Sequence, residues 1–132
     1  MISFTIPLPP ITKKNSQQIR YKYTNDKITG RPKRTPYIAP SEAYTDYEQA
    51  ALWFIPKQRA PINMPVNVKC LFYMPTKRLC DLTNLLEAVD DVLVKAGLLK
   101  DDNYTIVASH DGSRVLYDKD NPRTEVYIEK GA

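Results

Sequence analysis

Histidine occurs once in this chain, at His110, and cysteine only twice, at Cys70 and Cys80. That scarcity excludes a zinc site built on His and Cys spacing. With so little cysteine, a reducing cytoplasm is the expected compartment. Cys70 falls in an apolar alternation and reads as a buried thiol. No apolar run approaches the roughly 18 residues of a membrane span, and no signal peptide opens the chain, so no membrane partner is expected. Internal repeats and low-complexity stretches are also missing. What remains is ordinary for a globular protein: 132 residues, 42% hydrophobic and 26% charged. The expectation is one domain over residues 1–132, with a real core but a marginal one for a monomer.

The charge is unevenly placed. The net charge is +4, yet residues 1–79 carry 13 Lys/Arg against 4 Asp/Glu, whereas residues 80–103 carry 2 against 6. Those six acids, Asp81, Glu87, Asp90, Asp91, Asp101 and Asp102, fall within "CDLTNLLEAVDDVLVKAGLLKDDN". Two readings follow. Both regions can be solvated surface, or the basic part holds a polyanion while the acids bind a cation that works on it.

Hydrophobic periodicity sets the framework. "ISFTIPLPP" alternates and stops at prolines, as a strand does. Residues 11–40 are basic, tyrosine-bearing and broken by Gly30, Pro32 and Pro36. They read as an extended loop or ragged hairpin turning near "NDKITG". "SEAYTDYEQAALWFI" reads as a helix capped by Ser41, with Ala43, Tyr47, Ala50, Ala51 and Phe54 on its inner face and Trp53 in packing. In "VNVKCLFYM", Val66, Val68, Cys70, Phe72 and Met74 share one face of a strand, opposite Asn67 and Lys69. After the basic turn "PTKRLC", a second helix spans residues 82–96. Leu82, Leu85, Leu86, Val89, Leu93 and Ala96 line its apolar face, and Gly97 stops it. "YTIVAS" reads as a strand, Asp111–Gly112 as a tight turn, and "SRVLY" and "RTEVYIEK" as the last strands. The expected fold is α+β: a single domain, mostly antiparallel sheet, with two main helices packed on it.

On this framework Asp81 sits before the second helix and can be its N-cap. Asn84, Glu87 and Asp91 form one polar stripe; Thr83, Glu87 and Asp90 form its neighbour. Asp91 and Lys95 are spaced as an exposed ion pair. If the strand after Asp101 and Asp102 lies beside the helix start, one of that pair faces Asp81. Crowded carboxylates raise one another's pKa, and a divalent cation relieves the repulsion. Mg²⁺ takes hard oxygen ligands and needs only a few carboxylates plus substrate phosphate.

The order of these elements resembles the RusA family of Holliday-junction resolvases, found in prophages and phages. Basic residues, Asp-Leu-x-Asn-Leu, a helix with "DDVLVKAG", and Asp-Asp before the next strand carry the likeness over residues 77–107. It extends loosely to "FTIPLPPITKKNS" and "YIAPSEAYTDYEQ". The resemblance implies that Asp81 and Asp102 are catalytic and that Asn84, Leu85, Asp91 and Asp101 occupy family positions. Three positions differ. Thr83 stands for a second catalytic aspartate, Glu87 for a lysine, and Cys80 for an arginine. Glu87, four residues on from Thr83, reaches back toward the space that an aspartate at 83 would fill. Lys77, Arg78 or the Lys13–Lys14 pair can supply the displaced cation.

The resulting expectation is a Mg²⁺- or Mn²⁺-dependent endonuclease that resolves four-way DNA junctions. Asp81, Glu87 and Asp102 would be catalytic, with Asp91 and Asp101 supporting them at the metal. Lys13, Lys14, Asn15, Arg31, Lys33, Arg34, Lys77 and Arg78 would hold DNA. Tyr37 can stack at an open junction; Tyr21 and Tyr23 can do the same, or be half-buried strand residues. His110 reads as structural, and Arg114 and Arg123 as strand-surface residues. The resemblance implies a homodimer, and a wide Leu/Val helix face in a small chain independently suggests one. The alternatives are a catalytically inactive DNA-binding member of the same fold and a protein-interaction module without nucleic acid.

Overall fold

The structure, a computed structural model, describes residues 1–13 and 17–131. The apolar alternations become strands. β1 (Ile2–Ile6) opens the chain, and β2 (Gln17–Asn25) and β3 (Pro32–Pro40) follow as an antiparallel hairpin. α1 (Glu42–Ala51) runs into a 3-10 turn at Leu52–Phe54. β4 (Val66–Met74), α2 (Leu82–Lys95), β5 (Val107–Ser109), β6 (Arg114–Tyr117) and β7 (Arg123–Lys130) complete the order. This is the expected α+β domain with two helices and mostly antiparallel pairing. Among the described residues no helix is long and apolar enough to cross a membrane.

β4 organises the main sheet. It pairs antiparallel with β7, which pairs antiparallel with β1. Cys70 opposes Val126, and Val126 opposes Phe4, so one register runs through three strands. Period-2 alternation puts Val66, Val68, Cys70 and Phe72 on one face with Val126 and Ile128, all fully buried. Both helices add to this core, Leu85, Val89, Val92 and Leu93 from α2 and Tyr44, Tyr47 and Ala51 from α1. Each large apolar side chain so buried contributes about 1.5–3 kcal/mol. Burial also pushes the Cys70 thiol pKa up, so it is an inert core group. The opposite sheet face is polar, with Arg123 stacked 3.7 Å from the Tyr73 ring centroid.

The helix ends follow their capping chemistry. Ser41 Oγ accepts the Tyr44 N–H at 3.1 Å and starts α1, as expected. Gly97, at φ 77°, stops α2. Its N–H reaches the Val94 carbonyl at 3.0 Å, and Leu98 N–H reaches the Leu93 carbonyl at 3.1 Å, a Schellman motif. The α2 Leu/Val face is buried within this chain, so it offers no surface to a second copy and the independent case for a dimer disappears.

Four sequence expectations need correction. The inner face of α1 is Tyr44, Tyr47, Glu48 and Ala51; Ala43 is exposed. Burying the Tyr44 ring removes more apolar area from water than burying Ala43, and that rotates the helix. Trp53 does not pack; it is 87% exposed on the 3-10 turn, where the helical period on which it was placed has broken. Of "YTIVAS" only the last three residues are strand, because Asn103 Oδ1 draws in the Thr105 N–H at 3.0 Å and makes a turn. The Asp111–Gly112 turn does not close a hairpin. β5 and β6 both run parallel to β4, at its two ends. Asn67 holds that crossover by accepting the Asp111 N–H at 2.7 Å.

The basic segment is a regular hairpin with its own two-stranded sheet, separate from the main one. Its turn is closed by Asp26, whose Oδ1 accepts the Ile28 N–H at 2.7 Å and the Thr29 N–H at 3.1 Å. Gly30, at φ 71°, takes the left-handed position that returns the chain.

Candidate active site

Asp81 occupies the N-cap position of α2, but its side chain makes no capping hydrogen bond. Instead Oδ2 accepts from Asn84 Nδ2, one turn on, at 3.3 Å. Capping therefore does not account for an exposed carboxylate at this position. The loop that leads to it is basic and open. Lys77 Nζ lies 5.1 Å from the Tyr117 ring centroid on β6. Leu79 is 102% exposed between that lysine and Asp81.

The Asp101–Asp102 pair is fixed from the other end of α2. After the Schellman turn, the Lys100 N–H bonds the Ile62 carbonyl at 3.0 Å, and the Ile62 N–H bonds the Leu98 carbonyl at 2.8 Å. The two aspartates then behave differently. Asp101 Oδ1 accepts the Asp102 N–H at 2.7 Å and Oδ2 accepts from Asn103 at 3.1 Å. The Asp102 N–H bond leads in holding the Asp101 pKa below the usual carboxylate range. Asp102 is held above it, first by partial desolvation, then by its hydrogen bond with Asp101 and by the charges of Asp91 and Asp101.

The middle of α2 faces this pair. Asp91 lies 3.7 Å from Lys13 Nζ, beyond the end of β1, and its charge also reaches the Tyr44 hydroxyl and Asp102. It does not pair with Lys95, which bonds Glu48 of α1 at 2.7 Å. Asp90, expected on a polar stripe with Thr83 and Glu87, is buried instead and meets His110, the residue expected to be structural. The two are joined: His110 Nε2 stands 2.9 Å and 3.2 Å from the Asp90 carboxylate oxygens. Burial raises the Asp90 pKa, His110 opposes the shift, and the charge of Asp102 adds to it. The signal was in the sequence. Leu86, Asp90 and Leu93 fall at i, i+4 and i+7, which places an acid on the apolar face, where it needs a partner.

Asp102 thus lies within electrostatic reach of both Asp90 and Asp91, with Asp101 bonded beside it and Lys13 next to Asp91. Asp81 stands at the start of α2, and Thr83 and Glu87 are exposed one turn apart along it. Among the described residues no three His, Cys, Asp or Glu side chains converge closely enough to enclose a metal ion. A half-open set of carboxylate oxygens suits a hard cation that keeps waters and takes further ligands from a phosphate. Arg31, Lys33 and Arg34 lie on the hairpin and its turn, and Lys77 and Arg78 on the loop before Asp81. Lys14 and Asn15 fall outside the described residues. Tyr21 and Tyr23 are exposed, not half-buried. Arg114 is exposed as expected; Arg123 is held between Asp118 at 3.0 Å and Glu125 at 2.8 Å.

Comparison with known proteins bears on the family of the chain. The family model described as endodeoxyribonuclease RusA matches residues 7–129. A curated relative, the crossover junction endodeoxyribonuclease RusA of Aquifex aeolicus (strain VF5), is 31% identical over 81 residues. That alignment covers 54% of this chain and 64% of the relative, so the chain spans a little under two thirds of the relative's length. With nearly its whole length matched by the family model, the chain belongs to the RusA endodeoxyribonuclease family.

Proposed function

We propose that this chain is a Mg²⁺- or Mn²⁺-dependent endodeoxyribonuclease that resolves Holliday junctions and other branched DNA. The observation that carries the reading is the placing of Asp102 against Asp101 and within reach of the Asp91 charge, where desolvation first, and then these neighbours, hold its pKa above the usual carboxylate range. Such crowding is unfavourable unless a cation or a proton relieves it. Asp81, Glu87 and Asp102 would hold the ion, with Asp91 and Asp101 supporting. When bound, the ion supplies Lewis acidity and offsets the charge that develops on the scissile phosphate. Asp102 would also help orient the attacking water toward the phosphate. Lys13, Lys77 and Arg78 would hold the phosphates on either side. Two copies acting as a homodimer would nick opposed strands of a four-way junction.

A nicking assay on a synthetic four-way junction, with Mg²⁺ and with EDTA, tests this. Paired nicks near the branch with Mg²⁺ and none with EDTA are expected. One observation favours a second reading, a DNA-binding member without activity: Thr83 is exposed at the first turn of α2, where the family places a carboxylate. Tight, salt-sensitive junction binding with no cutting at any metal concentration would establish that reading.

A further inference from the structure

The β2–β3 hairpin buries neither of its faces, and an isolated two-stranded ribbon is marginal in water. Directly opposed residues share a face. On one face Arg20 opposes Tyr37, Lys22 opposes Thr35, and Thr24 opposes Lys33. On the other, Ile19 opposes Ile38, Tyr21 opposes Pro36, and Tyr23 opposes Arg34. The ribbon therefore has a basic side and an aromatic side. Lys22 lies 5.4 Å from the Tyr37 ring centroid on the first, and Arg34 lies 4.4 Å from that of Tyr21 on the second.

Charge identifies the occupant. Residues 17–40 hold six Lys/Arg and one acid, Asp26. Asp26 accepts backbone N–H groups of the turn. Among the described residues none of those six cations has a carboxylate within ion-pair distance, whereas Lys13 and Lys95 each pair with one and Arg123 with two. A second hairpin docked on this one would set like charge against like. Strand addition is disfavoured along the outer edge of β3 as well. Pro32, Pro36 and Pro40 lie inside a paired strand, so their missing N–H groups fall on the free edge of β3. The faces, not the edge, are the working surfaces.

We propose that the hairpin is a two-sided DNA arm whose basic face, Arg20, Lys22 and Lys33, holds duplex phosphates while its aromatic face, Tyr21 and Tyr23, takes unstacked bases at the branch point. This rests on the nuclease reading and deepens it: the basic face sets affinity for any DNA, and the aromatic face sets preference for branched DNA. Two-stranded ribbons fit DNA grooves, and base stacking on aromatic rings is tolerant of sequence. Arg20 and Lys22 join the interface, and Arg34 moves to the side opposite Lys33.

The test uses the full chain in EDTA, so that nothing is cut, with labelled four-way junction and linear duplex of the same arms. The triple variant Arg20→Gln, Lys22→Gln, Lys33→Gln should lose affinity for both DNAs alike. Its log K against log salt slope should flatten by about 2 to 3, at about 0.9 per phosphate contact. Tyr21→Ala with Tyr23→Ala should lower the junction-to-duplex affinity ratio by about tenfold or more, with the salt slope unchanged. Tyr21→Phe with Tyr23→Phe, which keeps the rings, should keep the ratio. All five side chains are exposed, so unchanged thermal midpoints should show an intact core. Wild-type-like binding in both sets would overturn the arm. A tyrosine variant that turns a dimer into a monomer and keeps its junction preference would make the aromatic face a self-interface instead. If the unaltered chain binds neither DNA, the nuclease reading itself has failed.

Discussion

His110→Ala should destabilise the protein through Asp90. The Asp90 side chain is 10% exposed and that of His110 28%, so the pair sits between a surface and a buried ion pair. Exposed pairs contribute about 0–1 kcal/mol, whereas breaking a fully buried pair costs about 3–5. His110 Nε2 engages both Asp90 oxygens, at 2.9 Å and 3.2 Å, so its loss leaves the carboxylate facing the core without its imidazole partner. An intermediate cost of about 2 kcal/mol is expected. Most of it is the desolvation of an unpartnered carboxylate, so Asp90→Leu in the same chain should recover much of the loss. Urea unfolding of the two single variants and the double gives the coupling directly. A cost below about 0.5 kcal/mol for His110→Ala, or a double variant no better than it, would refute the reasoning. The pair also ties α2 to the β5–β6 turn, so cleavage should fall with stability in His110→Ala.

Three shorter predictions concern other parts of the molecule. Gly97→Ala forces a side chain into φ 77° and should cost about 1 kcal/mol in urea unfolding, although the space around it is open. Asp118 and Glu125 are held below the usual carboxylate range chiefly by Arg123. Depressed carboxylates stabilise above the unfolded pKa of about 4 and lose that stability as pH falls through the folded value. Arg123→Ala should therefore flatten the fall in stability below about pH 4, measured by thermal melts from pH 5 to pH 2.5. Glu87→Gln should raise the Mg²⁺ concentration needed for cutting. Glu87→Lys alone should abolish cutting, whereas Thr83→Asp with Glu87→Lys, which restores the family arrangement, should keep it. Normal cutting by the single Lys variant would remove Glu87 from the site.

The strands and α2 were legible because period-2 and period-3.6 apolar patterns act through burial, which the pattern records directly. β4 and β7 fall at the expected residues for that reason. The α1 face was misread because alanine is weakly committed to either environment, while Tyr44 is both large and polar-tipped. The Asp111–Gly112 signal specified a turn but not where the chain goes next. Pairing of β5 and β6 with β4 is a non-local choice held by Asn67, outside the turn. At the site, spacing marked the acid-rich helix and the Asp101–Asp102 pair, and the family resemblance gave them a role. Their unequal pKa directions depend on turn hydrogen bonds that spacing does not show. The hairpin's two faces were hidden because Lys33 and Arg34 are neighbours in sequence and only strand pairing separates them.

Cleavage of a four-way junction by Asp102→Asn decides whether this carboxylate site is where the DNA is cut. The variant removes the crowded carboxylate without changing its shape, and it leaves the hairpin and the basic loop untouched. With Mg²⁺ present, nicking should be at least about 100-fold slower than in the unaltered chain, with junction affinity in EDTA equal or tighter. Nicking at the unaltered rate would contradict it and move the chemistry away from Asp102 and its neighbour Asp91 on α2.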